Sequence, residues 1–286
     1  MNRSTVLGLC SYTHDSAAAL VVDGQLVGFV EEERLSGVKH DKRYPAKAVE
    51  WLLDEAGLTR ADIGIVAYNF TSQLYLRAVP SALVHALRPA TSARALPRAR
   101  SFAKVAANTR GRLARLGGAF PNATVQPVLH HRAHGLYAFA ASGYEDAAVL
   151  VVDSLGEVQA TTIGHARQRA NGCSYRIVHA QDDPASLGYV YGAVTEHLGW
   201  RRGDEEGTVM ALAALGDPDR FRSLFAKAVR LTENGFVLDH RLLGLRVIDS
   251  RFPRLTDAFT RLPAMGRPGT HRSCGASGGR RTGWPG

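Results

Sequence analysis

Residues 6–30 read VLGLCSYTHDSAAALVVDGQLVGFV, and residues 148–166 read AVLVVDSLGEVQATTIGHA. In both, an apolar β-rich run passes through a polar turn containing Asp and enters another strand. In the first, Thr5 to Tyr12, Ala17 to Val22 and Gln25 to Glu31 are predicted strands. Asp23-Gly24 joins the last two as a two-residue hairpin, because that pair tolerates the positive φ such turns require. In the second, Ala147 to Asp153, Glu157 to His165 and Tyr175 to Ala180 are predicted strands. A polar turn between strands lets backbone N–H groups face a phosphate. Two such units predict a two-lobed α/β fold with a ligand cleft between the lobes.

The intervening elements follow from spacing. Pro45 can open a helix running to Ala56, with Val49, Leu52, Leu53 and Ala56 on one face and Gly57 as its stop. Ile63 to Asn69 is a strand, Leu129 to Ala140 a helix, and Ser186 to Leu198 a helix capped by Gly199. Gly207 to Leu215 reads as a short, buried apolar helix ended by Gly216. Asp217 to Leu231 reads as an amphipathic helix and Phe236 to Asp239 as a last strand.

The chain has 286 residues and a formal charge of +9, but the charge is unevenly placed. No acid occurs between Asp62 and Glu145, a stretch of 82 residues with ten Lys or Arg. The excursion at about 75–122, densest from Arg88 to Arg115, reads as one or two basic helices with a solvated face. Its functional alternative is a positive rim around an anionic substrate. It carries no RNA-reading aromatics, zinc-finger spacing or helix-turn-helix, so no nucleic-acid partner is expected. No apolar run reaches the length of a membrane span, so no membrane partner is expected either. Cys10, Cys173 and Cys274 are far apart and odd in number, which points to a reducing cytoplasm. Residues 263–286 hold seven glycines and no acid, and a disordered tail is expected there.

His130-His131-Arg132-Ala133-His134 is the most pointed chemical feature. His130 and His134 share a face if the segment is helical, so both imidazoles can reach one metal ion. The segment lacks the Glu of the H-E-x-x-H pattern, which excludes the simple zinc-peptidase reading. Asp153 can add a carboxylate, and a His, His, carboxylate set suits Fe(II), Mn(II) or Zn(II) rather than a soft thiolate metal. A surface histidine cluster is the alternative. In the first turn, His14-Asp15 is either a capped turn or a general acid or base held by a carboxylate. Lys39, with help from Arg43, is a point-charge partner for phosphate. Asp153-Ser154-Leu155-Gly156-Glu157 is a phosphate-turn candidate, and Gly207 opens a helix that can face an anion.

In order along the chain stand HDSAAALVVDGQLVGFVEEERLSGVKHDKRYP, HHRAHGLYAF, VLVVDSLGE, SLGYVYGAVTEHLGW and EEGTVMALAALGDP. Together they resemble the O-carbamoyltransferases that modify nodulation factors and antibiotics, over roughly residues 5–255. The resemblance implies a duplicated RNase-H-like domain of the actin, sugar-kinase and Hsp70 type over residues 1–262, followed by a YrdC-like domain that has no counterpart here. It implies that carbamoyl-adenylate, made from carbamoyl phosphate and ATP, gives its carbamoyl group to a hydroxyl of a small-molecule acceptor near an iron ion. It matches His130, His134 and Asp153 to the family's metal ligands and His14 and Lys39 to its catalytic residues; the polar turns and the α-helix start add Asp15, Ser154, Gly156, Glu157 and Gly207 as nucleotide-binding candidates.

The departures are Ser154 where the family has Gly, Thr208 where it has Lys, Ala211 where it has a second Gly, and a lost Pro-Tyr pair. A further metal-binding Asp lies beyond the matched region. Family members run to about twice this length. The expectation is therefore a truncated or frameshifted frame, cut in the second lobe and served in trans by a YrdC-like partner. The alternative is a non-catalytic nucleotide- or metal-binding remnant. A sugar-kinase reading rests on fold analogy alone.

Overall fold

The computed structural model describes residues 4–13, 15–170, 172–248 and 252–261. Strands β1 (Thr5–Cys10), β2 (Ala17–Val22) and β3 (Gln25–Glu31) form an antiparallel meander. Asp23 and Gly24 have φ of 50° and 81°, the paired positive values that a tight hairpin needs. After β3, helix α1 (Glu32–Ser36) leads to α2 (Ala46–Ala56), which ends on Gly57 at φ 62°. Glu32 is buried, and its carboxylate accepts the N–H groups of Lys47 and Ala48 at 3.3 and 2.9 Å. It thereby satisfies two orphan donors at the start of α2 and favours the positive end of its dipole. Helix α2 lies on the sheet at Gly28, where a Cβ would stand 2.9 Å from Leu52 Cδ2.

Strand β4 (Ile65–Tyr68) then pairs parallel to β1. Helices α3 (Ser72–Leu76), α4 (Ala78–Ala86) and α5 (Ser92–Ala119) follow, and β5 (Thr124–Pro127) pairs parallel to β4. The sheet order is β3-β2-β1-β4-β5. The basic stretch is thus not a surface excursion. Phe102, Ala106 and Leu116 of α5 join the core with Leu7, Leu20, Leu52 and Val66. Arg98 is wholly buried.

Helix α6 (His130–Ser142) leads into a second antiparallel meander: β6 (Asp146–Gly156), β7 (Gln159–Arg169) and β8 (Gly172–Asp182). Tyr175 of β8 fills the groove between α6 and β7, where a Cβ at Gly135 or at Gly164 would overlap its ring. The expected turn at 153–157 is displaced. The β6–β7 register slips between Val152 and Gly156, and the hairpin turn falls at Glu157-Val158. Residues 153–156 are therefore an irregular strand end. Ser154 is not in the left-handed region; Glu157 is, at φ 52°.

Helix α7 (Leu187–His197) starts on Ser186, whose hydroxyl accepts the Tyr189 N–H. Helix α8 (Glu206–Ala213) packs beside α7 but buries no residue, contrary to the buried helix expected, with Met210 and Leu212 exposed. The amphipathic helix expected to reach Leu231 also stops early. Helix α9 (Arg222–Ala228) ends at Val229, and β9 (Val229–Thr232) turns through Glu233-Asn234 to pair with β10 (Gly235–Leu238). The β-branched Val229 and Thr232 and the hairpin turn override the helical period. Helix α10 (Asp257–Thr260) completes this unit, whose core includes Tyr189, Leu224, Phe236 and Phe259. No helix among the described residues is long and apolar enough to cross a membrane. The expected tail at 263–286 lies outside the described residues.

One ionic cluster joins these parts. Asp183 receives Arg98 of α5 at 2.6 Å and Arg246 at 2.5 Å, with both carboxylate oxygens buried. Arg98 also donates to the Arg246 carbonyl at 3.1 Å. Removing the carboxylate charge strands two guanidiniums away from water. Asp183→Asn should therefore lower unfolding free energy by about 3–5 kcal/mol, read as an equilibrium denaturation midpoint.

His85 of α4 supplies a pH test. It is buried, edge-on to His240 at 5.9 Å, and its Nδ1 has no hydrogen-bond partner. Burial, with Arg98 and His240 nearby, pushes its pKa down from 6.5 to about 4. The unfolded chain binds the proton first, so stability falls as pH drops from 6.5 towards 4 and levels off below. His85 contributes at most on the order of 3 kcal/mol to that loss. His85→Leu should flatten thermal stability across this window relative to the parent chain.

Candidate metal centre

Strands β1, β4 and β5 run parallel, so the segments leaving their carboxyl ends emerge on one side of the sheet. These are the loop that contains His14 and Asp15, the Asn69–Thr71 segment and the Val128–His130 entry to α6. Ligands in open α/β sheets bind at such carboxyl ends.

His130 is the first residue of α6 and His134 stands one turn later, so the helix period brings the imidazoles together. Their Nε2 atoms are 3.0 Å apart, and His130 Nε2 is 2.9 Å from Asp153 Oδ2. The three donor atoms of His130, His134 and Asp153 lie within 4.8 Å of one another. The register slip in β6 accompanies Asp153 where it meets α6. Gly156 leaves the room for this approach, since a Cβ there would overlap the His131 ring and stand 2.9 Å from His130 Cδ2. Phe70 stacks on the His130 ring at 4.8 Å and 6°.

Glu157 holds this arrangement from behind. It is wholly buried, and its carboxylate accepts the Thr71 N–H at 2.8 Å and the His130 N–H at 3.3 Å. Burial raises its pKa, opposed by those two N–H groups. Each oxygen accepts a backbone N–H, so Glu157 fixes the start of α6 to the segment after β4. His131 points away from the triad into the second sheet, buried, with Nδ1 3.1 Å from Thr162 Oγ1. Burial lowers its pKa to about 4, keeping it neutral.

Burial works against ionisation of Asp153, but the hydrogen bond and charge of His130 and the Ser154 N–H prevail and hold its carboxyl below the usual range. Burial, then His130, lowers the pKa of His134 against the pull of Asp153. The result is a His134 imidazole disposed to stay neutral, with an ionised Asp153 carboxylate facing His130. A single proton can serve only one of the facing Nε2 atoms, whereas a cation satisfies both and the carboxylate. The donor set is nitrogen and oxygen, without thiolate, and fits Fe(II) or a similar divalent ion. His130 Nδ1 is buried without a partner, so the outer hydrogen bond usual for a ligating histidine is missing on that ring.

The other expected residues are distributed around this centre. Asp15, Glu33 and His40 form a second group: His40 Nδ1 is 2.8 Å from Asp15 Oδ1, and the His40 N–H donates to Glu33 at 2.9 Å. This ties the Lys39 loop to the first turn. Lys39 is exposed. Arg43, expected to help it, is held by a bidentate pair with Asp41 at 2.9 and 2.6 Å. Ser154 presents its carbonyl and hydroxyl to Arg246 at 2.7 and 3.2 Å. Gly207 lies on the exposed α8, with open space around it. His14 lies outside the described residues. An apolar cavity of about 260 Å³, lined by small residues including Gly8, Ala19, Ala67 and Ala133, adjoins the α6 segment between the two histidines.

Fold and site define a mixed α/β protein with an open N/O donor centre at the carboxyl ends of parallel strands. The chain belongs to the carbamoyltransferase family, in its N-terminal domain: the family described as "Carbamoyltransferase N-terminus" matches residues 5–242. It is 32% identical over 226 residues to nodulation protein NolNO of Sinorhizobium fredii, covering 79% of this chain and 31% of that protein. It is 31% identical over 271 residues to the uncharacterized protein sll1178 of Synechocystis, covering 90% of this chain and 43% of that one. The chain thus spans less than half the length of these two relatives. Among solved structures it is similar to YeaZ from Pseudomonas aeruginosa, with a TM-score of 0.33 at 17% identity over 61% of this chain and 66% of that one.

Removing the support behind the triad should weaken it without touching a ligand. Glu157→Ala should reduce Co(II) affinity about tenfold or more, and Glu157→Gln, which keeps one acceptor oxygen, should reduce it less. Titration followed by the Co(II) visible spectrum reads both.

Proposed function

We propose that the chain is the acceptor-side part of an O-carbamoyltransferase, moving a carbamoyl group from carbamoyl-adenylate to a hydroxyl of a small-molecule natural product. The observation that supports this is the convergence of His130, His134 and Asp153 in a chain whose family membership is itself carbamoyl transfer. In this reading the β3-β2-β1-β4-β5 sheet is an RNase-H-like lobe, and the β6-β7-β8 meander opens a second lobe of the same kind. A YrdC-like unit supplies the carbamoyl-adenylate. The site works in the cytoplasm, where ATP and carbamoyl phosphate are made.

The reaction balances simply. The acceptor oxygen attacks the carbamoyl carbon, the carbon–oxygen bond to the adenylate phosphate breaks, AMP leaves, and the hydroxyl proton goes to a base. His14 is the base and Lys39 steadies developing charge near the carbamoyl group. His130, His134 and Asp153 would hold Fe(II) or a similar divalent ion, which when bound would supply Lewis acidity. Asp15 holds the His40 loop, and with it Lys39, beside the first turn. Gly156 lets the start of α6 close onto the end of β6. Ser154 and Gly207 are the remaining nucleotide-side residues, and the small-residue cavity beside α6 takes the apolar part of the substrate.

The test separates the two halves of the reaction. With carbamoyl phosphate and ATP, the chain alone should form no AMP or pyrophosphate. Carbamoyl phosphate-dependent formation of both would show that it makes its own adenylate. Given synthetic carbamoyl-adenylate and a panel of hydroxylated natural products, it should yield carbamoylated product by mass spectrometry, at a rate lost on double substitution of His130 and His134 by Ala. Metal content unaltered by that double change would mean that the centre is misassigned. Stoichiometric metal or nucleotide binding without transfer would favour a non-catalytic binding remnant.

A further inference from the structure

A second cavity, of about 270 Å³, lies beside the end of β6. Leu155, Tyr189, Ile248 and three arginines, Arg202, Arg246 and Arg254, line it. The Tyr189 ring is flanked by two of them, with the guanidinium carbons of Arg246 and Arg254 4.4 and 4.8 Å from its centroid. The Tyr189 hydroxyl donates to the Gly244 carbonyl at 2.7 Å, which fixes the ring that carries both cations.

The three arginines are not equally satisfied. Arg246 gives its donors to Asp183 and Ser154. Arg202 is paired with both oxygens of Glu196 at 2.9 Å. Arg254 sends its backbone N–H to Glu196 at 3.0 Å, but among the described residues its guanidinium has no hydrogen-bonded or ionic partner. It lies over Tyr189 and against α7, where a Cβ at Gly192 would collide with it. Around the cavity the described residues place four guanidiniums (Arg98, Arg202, Arg246, Arg254) against three carboxylates, Asp183, Glu196 and, beside Arg254 at Gly192, Glu206. Burial, with the repulsion of Arg246 and Arg202, lowers the pKa of Arg254 to about 10, so it stays charged at neutral pH.

We propose that this cavity is an anion site that takes a phosphoryl group, as the free dianion or on a small phosphate monoester, with Arg254 as its principal donor. A planar guanidinium whose donors no described residue takes, held on an aromatic face, suits bidentate contact with tetrahedral oxygens. Guanidiniums outnumber carboxylates among these described residues, which favours an anion, and low local dielectric strengthens the attraction. Arg246 donates to Ser154, the neighbour of Asp153, so an anion in the cavity bears on the strand end that presents the carboxylate of the metal centre. The proposal stands apart from the carbamoyl reading, because its test uses neither carbamoyl donor nor acceptor.

Inorganic phosphate is titrated calorimetrically into the full chain, into R254M and into E196Q, with glycerol 2-phosphate as a second probe. The parent should bind phosphate saturably at one site. R254M, which keeps an unbranched apolar stem without the guanidinium, should bind about tenfold more weakly, the worth of one charge-assisted contact. E196Q should bind severalfold more tightly, a gain that misfolding cannot produce. Preference for glycerol 2-phosphate would assign the site to a phosphate ester, and preference for phosphate to the free ion. Absence of saturable binding in the parent, or equal binding by parent and both variants, overturns the proposal.

Discussion

A carboxylate removed from water must be compensated by donors brought to it, and Glu157 collects those donors from separate parts of the chain. It sits in the β6–β7 turn in a left-handed conformation, takes one N–H from the segment after β4 and another from the first residue of α6. The first sheet, the histidine-bearing helix and the second sheet are thereby fixed to one buried group. The distance between His130 and Asp153 is a result of this anchoring. Without it, the start of α6 would present free N–H groups to a dry interior, and the imidazoles would lose their common direction.

The sequence-level reading succeeds where the physics is local. Asp23-Gly24, the α2 helix with its Gly57 stop, and the shared face of His130 and His134 all follow from turn chemistry or helical period, and each is found in the structure. It fails where tertiary contacts decide. Asp153 reads as part of a turn because Asp, Ser and Gly are turn formers, yet a register slip keeps the strand going to Gly156. Glu157 reads as a ligand-facing acid because nothing local reveals which N–H groups will claim it. Arg98 reads as one more solvated cation among many, since its partner Asp183 lies far along the chain. The early end of α9 was signalled only weakly, by Val229 and Thr232 at the close of an otherwise helical pattern.

Within the carbamoyltransferase family, the arrangement concentrates its chemistry on one side of the first sheet and its anion-attracting character behind the end of β6. The two regions share Ser154, which follows Asp153 and accepts from Arg246. The exposed apolar residues of α8 belong to the same half of the molecule.

The Arg98 cluster also bears on the order of assembly. Arg98 bonds to Arg246 across 148 residues of chain. During synthesis α5 is made long before Asp183 and Arg246 exist, so its arginine has to wait in water while Phe102 and Leu116 settle onto the first sheet. Closing so long a loop is entropically costly and slow compared with packing neighbouring elements. Contact between the two halves therefore follows the packing of neighbouring elements, and Arg98 leaves water only when Asp183 reaches it.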